Sequence, residues 1–285
     1  MVTITKQTAK PANDRGKFES WRDNDLKFKS ILEKETSGNK IWNKLTDKVR
    51  PRLLRSLLKE QGYVCCYCGS PISKANAEIE HFFPKNGDNN GNDYRHLIFD
   101  YENLFASCCG GAKEIEHQVV ENETLESIAN RYDVATSSIK IKYNKTKIET
   151  APKEILPNQK LIIPKNNQPT KWQSCNNSKD NKILPFGLLD IQLATFFDYT
   201  HNGEMVATDK APLNTKEAID NILGLNNKYL VEKRSQLISS IIDTILKINL
   251  EIEGESLYQS FAEKNEHGQY QSYYFVCINE LKKYI

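Results

Sequence analysis

Apolar residues fall at helical spacing in two well-separated stretches of this chain, and a cysteine-rich segment with no such period lies between them. Helical periodicity begins near Leu26 and places Ile41, Trp42, Leu45 and Val49 on one face. Pro51 interrupts it. Leu53, Leu54, Leu57 and Leu58 then continue a second helix, which Gly62 can end as a C-cap residue. In the C-terminal third, Ile219, Ile222 and Leu223 lead to Gly224. A long amphipathic helix follows through Leu230, Val231, Leu237, Ile238, Ile241, Ile242, Ile245 and Leu246, and a final helix is predicted over Ser272 to Tyr284. These stripes read as core.

The middle of the chain has a shorter period. Tyr63-Val64-Cys65 followed by Cys68-Gly69 reads as a tight knuckle between short strands. Glu78 to Phe83 reads as a strand running into Pro84, Gly87 to Asn92 as a polar loop, and Phe196 to Tyr199 as another short strand. Residues 1–25 are polar and read as loosely structured, and 165–171 as a linker.

Composition adds limits. With 285 residues, 39% of them hydrophobic and 27% charged, the chain can bury a proper core in one large domain or two smaller ones. A net charge of +2 gives no global polycationic signature, so a nucleic-acid partner would need a local basic face. Lys48-Val49-Arg50-Pro51-Arg52 is one such cluster, although a solvated helix face is its commoner explanation. No apolar run of about 18 residues is present, and Met1 to Lys17 lacks the apolar segment of a secretory signal, so a cytoplasmic location without membrane contact is expected.

That expectation governs how the seven cysteines are read. Six group at three loci: Cys65, Cys66 and Cys68; Cys108 and Cys109; and Cys175. In a reducing compartment such groups are metal ligands or catalytic thiols. Cys65-x-x-Cys68 lets two thiolates of one turn reach a tetrahedral Zn²⁺, and Cys108 or Cys109 with Cys175 supplies the other two. Cys277, alone in an apolar stretch, reads as a small buried hydrophobe.

Glu80-His81 follows the knuckle at a strand end. A neutral imidazole there can deprotonate water for attack on a phosphodiester, while the adjacent carboxylate holds a divalent metal. Mg²⁺ takes hard oxygen ligands and keeps several waters, so Glu80 plus one amide oxygen suffices; Mn²⁺ is the alternative ion. Asn176, at a helix start directly after Cys175, is the amide candidate. Lys85 and Lys179 are candidate phosphate contacts. His96, His117, His201 and His267 read as surface or structural.

The ordered series Cys65-x-x-Cys68, Ile79-Glu80-His81-Phe82-Phe83-Pro84-Lys85, Tyr101-Glu102-Asn103-Leu104, Ser107-Cys108 and Cys175-Asn176-x-x-Lys179 resembles the HNH, or ββα-metal, endonucleases. It looks closest to the PtuB-like nucleases of retrons and Septu anti-phage systems. Leu57-Leu58-Lys59-Glu60-Gln61-Gly62-Tyr63 and Ile222-Leu223-Gly224-Leu225-Asn226 share the likeness, which covers most of the chain outside 112–170. The resemblance implies His81 as general base, and Glu80 and Asn176 as ligands of Mg²⁺ or Mn²⁺. It makes Asn103 the residue positioning the catalytic loop, and selects Cys108 to complete a structural Zn²⁺ site with Cys65, Cys68 and Cys175. It implies cleavage of DNA or RNA in phage defence, beside a PtuA-like ATPase.

Between Cys108 and Cys175, His117 to Val120 reads as a strand, Asn122 to Tyr132 as a Thr-capped helix, Ser137 to Asn144 as a second short helix, and Leu156 to Pro164 as a closing strand. This βααβ order resembles the LysM domain. LysM domains usually bind N-acetylglucosamine polymers; in a cytosolic nuclease the insert is expected to bind a protein partner or position substrate, ahead of a glycan. The fold class expected is α+β: a ββα-metal core with a zinc knuckle in a mainly helical domain, divided as 1–111 and 171–285, with the LysM-like insert at 112–170. The rival reading is a non-enzymatic zinc-knuckle and LysM adaptor that scaffolds a complex.

Overall fold

A computed structural model describes residues 1, 3–10, 12–108, 110, 114–132, 135–142, 148–164 and 173–285. The architecture is α+β, with helices and small antiparallel sheets in two compact units. One unit joins Met1–Gly110 to Trp172–Ile285; the other is Gly111–Lys171. Among the described residues no helix is long and apolar enough to cross a membrane.

The first unit opens with α1 (Asp14–Ser20), α2 (Phe28–Leu32), α3 (Gly38–Trp42) and α4 (Arg50–Glu60). The N-terminal segment is more ordered than its polarity predicted. Asn13 caps α1 by accepting from the Gly16 amide, and Phe18 and Trp21 enter the core with Ile4. Few but large apolar groups anchor this stretch, so its mean polarity misled. The predicted continuous helix through Val49 ends at Trp42, and Pro51 lies in the first turn of α4, where its missing N–H costs nothing. Leu53, Leu57 and Leu58 form the buried stripe of α4. Gly62 follows at φ 62°, and a Cβ there would lie 2.3 Å from the Tyr270 ring. Phe99 sits at the centre of this core, with its ring 5.1–5.5 Å from those of Phe28, Trp21 and Trp42.

β1 (Ala77–His81) and β2 (Leu104–Cys108) form an antiparallel pair with Glu80 opposite Phe105 and His81 opposite Leu104. In the second unit, β3 (Glu114–Gln118), α5 (Leu125–Tyr132), β4 (Lys140–Lys142), β5 (Ile148–Thr150) and β6 (Lys160–Pro164) build a sheet of order β3-β6-β4-β5. The second helix expected at Ser137 to Asn144 is a short turn at Thr136–Ser138 running into β4; Tyr143 and Asn144 lie outside the described residues. Ile139 and Ile141 are two apart and both buried, a strand period that so short a stretch could not separate from a helical one.

The chain re-enters the first unit through α6 (Cys175–Lys179), then β7 (Phe197–Tyr199), β8 (Met205–Ala207), α7 (Thr215–Glu217), α8 (Lys228–Ile245), α9 (Leu250–Ala262) and α10 (Tyr274–Leu281). Cys277 is buried with Ile241, Ile245 and Leu281, as its apolar neighbours suggested, and burial pushes its thiol up to about 11.

Candidate functional site

Four cysteines from three distant stretches converge. The sulfurs of Cys65, Cys68, Cys108 and Cys175 all lie within 4.8 Å of one another, and those of Cys68 and Cys108 are 3.8 Å apart. A tetrahedral ZnS₄ centre with Zn–S near 2.3 Å has sulfur–sulfur edges of about 3.8 Å, so the donor set and its spacing fit a metal ion of the zinc type. The knuckle that presents Cys65 and Cys68 is closed by Cys65 N–H donating to Ser70 O (2.9 Å) and Gly69 N–H donating to Cys65 O (3.1 Å). Gln61 ties it to β2: its amide donates to the carbonyls of Val64 and Ala106 and accepts from the Ala106 N–H. Cys175 has φ 54°, a conformation that costs an L-residue about 1–2 kcal/mol, and its N–H donates to Leu223 O at 2.8 Å.

Burial opposes ionisation of Cys65, yet hydrogen bonds from Cys108, Cys175, Cys66 and Cys68 overcome it and pull its thiol well below the usual cysteine range. Cys66 is different. Burial and the adjacent Cys65 push its thiol up, and it is absent from the four-sulfur cluster. Cys109 lies outside the described residues.

Beside this cluster an open cleft of about 590 Å³ is lined by Trp42, Arg50, Glu78, Glu80, His81, Lys85, Asn176 and Asp180, among others. Glu80 is 4% exposed. Its Oε1 accepts from the Tyr67 hydroxyl at 2.8 Å and pairs with the Lys179 ammonium at 3.3 Å. Its Oε2 makes no hydrogen bond to the described residues. Burial raises the Glu80 carboxyl, and Lys179 and Tyr67 oppose that rise. Lys179 is fully buried, and its ammonium also donates to His81 O at 3.2 Å. Its expected phosphate contact is therefore corrected: the charge is spent compensating Glu80 beneath the cleft.

His81 Nε2 lies 3.1 Å from Ile98 O. A carbonyl only accepts, so Nε2 carries the proton and Nδ1 is the unprotonated nitrogen. Burial pushes the imidazole down to about 3, aided by Lys85, so the ring is neutral throughout the physiological range. Trp42 fixes its plane from the side, ring centroids 4.4 Å apart at 84°. Asn103 stitches the loops after β1 and before β2: its Nδ2 donates to the carbonyls of Phe83 (3.1 Å) and Leu97 (3.0 Å), and its Oδ1 accepts from Phe83 N–H (2.7 Å). Asn176 is in the cleft, with Nδ2 donating to Glu78 Oε2 at 2.8 Å.

The knuckle after α4, strands β1 and β2, and α6 thus meet at one place. Sequence reasoning missed Tyr67 as the anchor of Glu80, and Trp42 and Glu78 as cleft residues. Strand alternation could have found Glu78, two residues before Glu80 and on the same face of β1. Lys85 is half-buried, on the cleft, with burial lowering its ammonium. His117, whose side chain lies outside the described residues, is on β3; His96, His201 and His267 are exposed.

A model of the LysM domain matches residues 117–164, within the second compact unit. The chain therefore carries a binding-type domain of the LysM class. Among curated proteins, none matches the chain.

Proposed function

We propose that the protein is a metal-dependent HNH endonuclease that hydrolyses phosphodiester bonds of DNA or RNA. One observation carries the reading: a neutral histidine with its Nε2 proton committed to a backbone carbonyl shares one cleft with a carboxylate that has one oxygen anchored and the other without a hydrogen bond. His81 Nδ1 takes a proton from the attacking water, whose oxygen forms the new bond to phosphorus as the ester oxygen leaves. Ile98 holds the ring in the productive tautomer, and Asn103 fixes the loop that carries it. Glu80 Oε2 and the Asn176 amide oxygen, after rotation of that amide, are the hard donors that would hold Mg²⁺ or Mn²⁺. The ion would stabilise charge developing on the phosphate. The cysteine cluster holds structural Zn²⁺ and keeps β2 and α6 together.

By its resemblance to PtuB-like nucleases, the protein acts in the cytoplasm as the effector of an anti-phage system with a PtuA-like ATPase. The LysM match favours a second reading, in which zinc knuckle and LysM domain form a non-catalytic adaptor for a protein or, less favoured, a glycan. His81→Ala decides between them. With Mg²⁺ or Mn²⁺ supplied, with and without the co-encoded ATPase, the variant should lose about 10²–10⁴-fold in strand cleavage while retaining zinc. Equal behaviour of variant and parent would leave the adaptor.

A further inference from the structure

Arg50, the first residue of α4, holds its guanidinium 5.2 Å over the Trp42 ring on the cleft wall. It is half-buried, and no carboxylate or other acceptor among the described residues pairs with it. The other half-buried or buried arginines with described side chains are all committed. Arg15 pairs with Glu19 and Glu102, Arg22 with Asp23, Arg55 with Asp14 and Arg95 with Asp93, and Arg234 donates to the carbonyls of Gly203 and Leu225. Lys85 lies 5.8 Å from the same indole and makes no ion pair at contact distance among the described residues, Glu80 and Glu78 acting on it only from farther off. Partly desolvated donors with no acceptor are costly, and two cations on one ring repel. An anion in the cleft resolves both, and the indole that carries the cations also touches the His81 ring.

We propose that Trp42, Arg50 and Lys85 are the strand-holding wall of the cleft. Arg50 takes a backbone phosphate of a nucleic-acid strand through its planar fork, next to the phosphate presented to His81, and Lys85 adds a point charge. The contact is to backbone, so it positions a strand without reading bases. This inference rests on the nuclease reading for its choice of polyanion, and its test does not require cleavage.

The experiment is fluorescence anisotropy with the zinc-loaded full chain and no added divalent ion. The probes are a labelled DNA strand of about 20 nucleotides and an RNA of the same sequence, titrated between about 50 and 200 mM salt. Arg50→Gln should weaken binding of at least one strand about tenfold and make the log–log salt slope shallower by about 0.7, the share of one single-strand phosphate. Arg50→Lys should restore the slope and only part of the affinity. Arg52→Gln, an exposed neighbour lining a different cavity with Phe18 and Trp21, should change affinity less than about twofold. Equal losses in the Arg50 and Arg52 variants, no binding of either strand, or full displacement by millimolar inorganic phosphate would each overturn the assignment. Binding through Arg50 without cleavage once Mg²⁺ is added keeps the wall and removes the nuclease. Cleavage by an Arg50→Gln protein whose slope is unchanged does the reverse.

Discussion

At the scale of single residues, the cleft depends on a charge that never reaches it. Lys179 is fully buried and lies 3.3 Å from Glu80, itself nearly inaccessible. Ionised carboxylates are buried only when something compensates them, and here an ammonium and a phenol do so from one side. The other carboxylate oxygen is thereby left in a fixed orientation, as the proposed metal-ligand role would require. Removing the ammonium strands the carboxylate. Lys179→Met should cost about 3–5 kcal/mol of stability in urea denaturation, and adding Glu80→Gln should recover most of it, since neither buried charge then remains. A Lys179→Met protein as stable as its parent would show that the pair is not coupled. Trp42 illustrates a second economy: one indole packs against the core residue Phe99, fixes His81 and carries two cations.

At the scale of elements, the four-sulfur cluster joins segments far apart in the chain, and Gln61 reinforces the junction by tying the knuckle to β2. Cys65 and Cys68 belong to a turn after α4, Cys108 ends β2, and Cys175 begins α6, a helix of five residues too short to persist alone. Cys65→Ser should lower zinc to well under one ion per chain and reduce the melting temperature, because structural zinc contributes folding free energy directly. A variant that keeps full zinc and the parent melting temperature would refute the four-sulfur assignment. Much of this was legible in the sequence for local reasons. The Cys65-x-x-Cys68 spacing, the Leu53, Leu57 and Leu58 stripe and the Gly62 cap are set within a few residues of themselves. So is the long helix α8, whose apolar period runs for four turns. What escaped reading was tertiary. Phe18 and Trp21 make an ordered element of a polar segment by packing on Phe99, which no local pattern announces. The placing of Arg50 over Trp42 depends on how α3 and α4 meet, and Lys179 looked like a surface cation because nothing in its neighbourhood along the chain reveals the buried carboxylate it meets.

At the scale of the whole molecule, the LysM-class unit is an insertion that the first unit barely has to accommodate. Ser174 N–H donates to Gly110 O at 3.2 Å, so the two points where the chain leaves and rejoins the first unit are already hydrogen-bonded neighbours. Within the insert, β3 and β6 pair antiparallel with Glu114 opposite Pro164, which brings its own two ends together. Its core of Val119, Leu125, Ile128, Ile139, Ile141 and Leu161 is separate from that of the first unit. An element with adjacent ends and a private core adds little loop-closure cost to its host. Excising residues 111–171 and closing the gap with a short Gly/Ser linker should therefore leave a folded protein. It should hold zinc at the parent stoichiometry and melt within a few degrees of it, read by metal analysis and calorimetry. Loss of zinc or of cooperative melting would mean that the insert supports the cysteine cluster. With folding secured, the same protein separates two roles for the LysM-class unit. On the proposed nuclease reading, unchanged cleavage would make it a docking device for a partner, whereas cleavage that falls through KM alone would make it part of substrate capture, since uniform binding energy lost from a remote module raises KM and spares kcat.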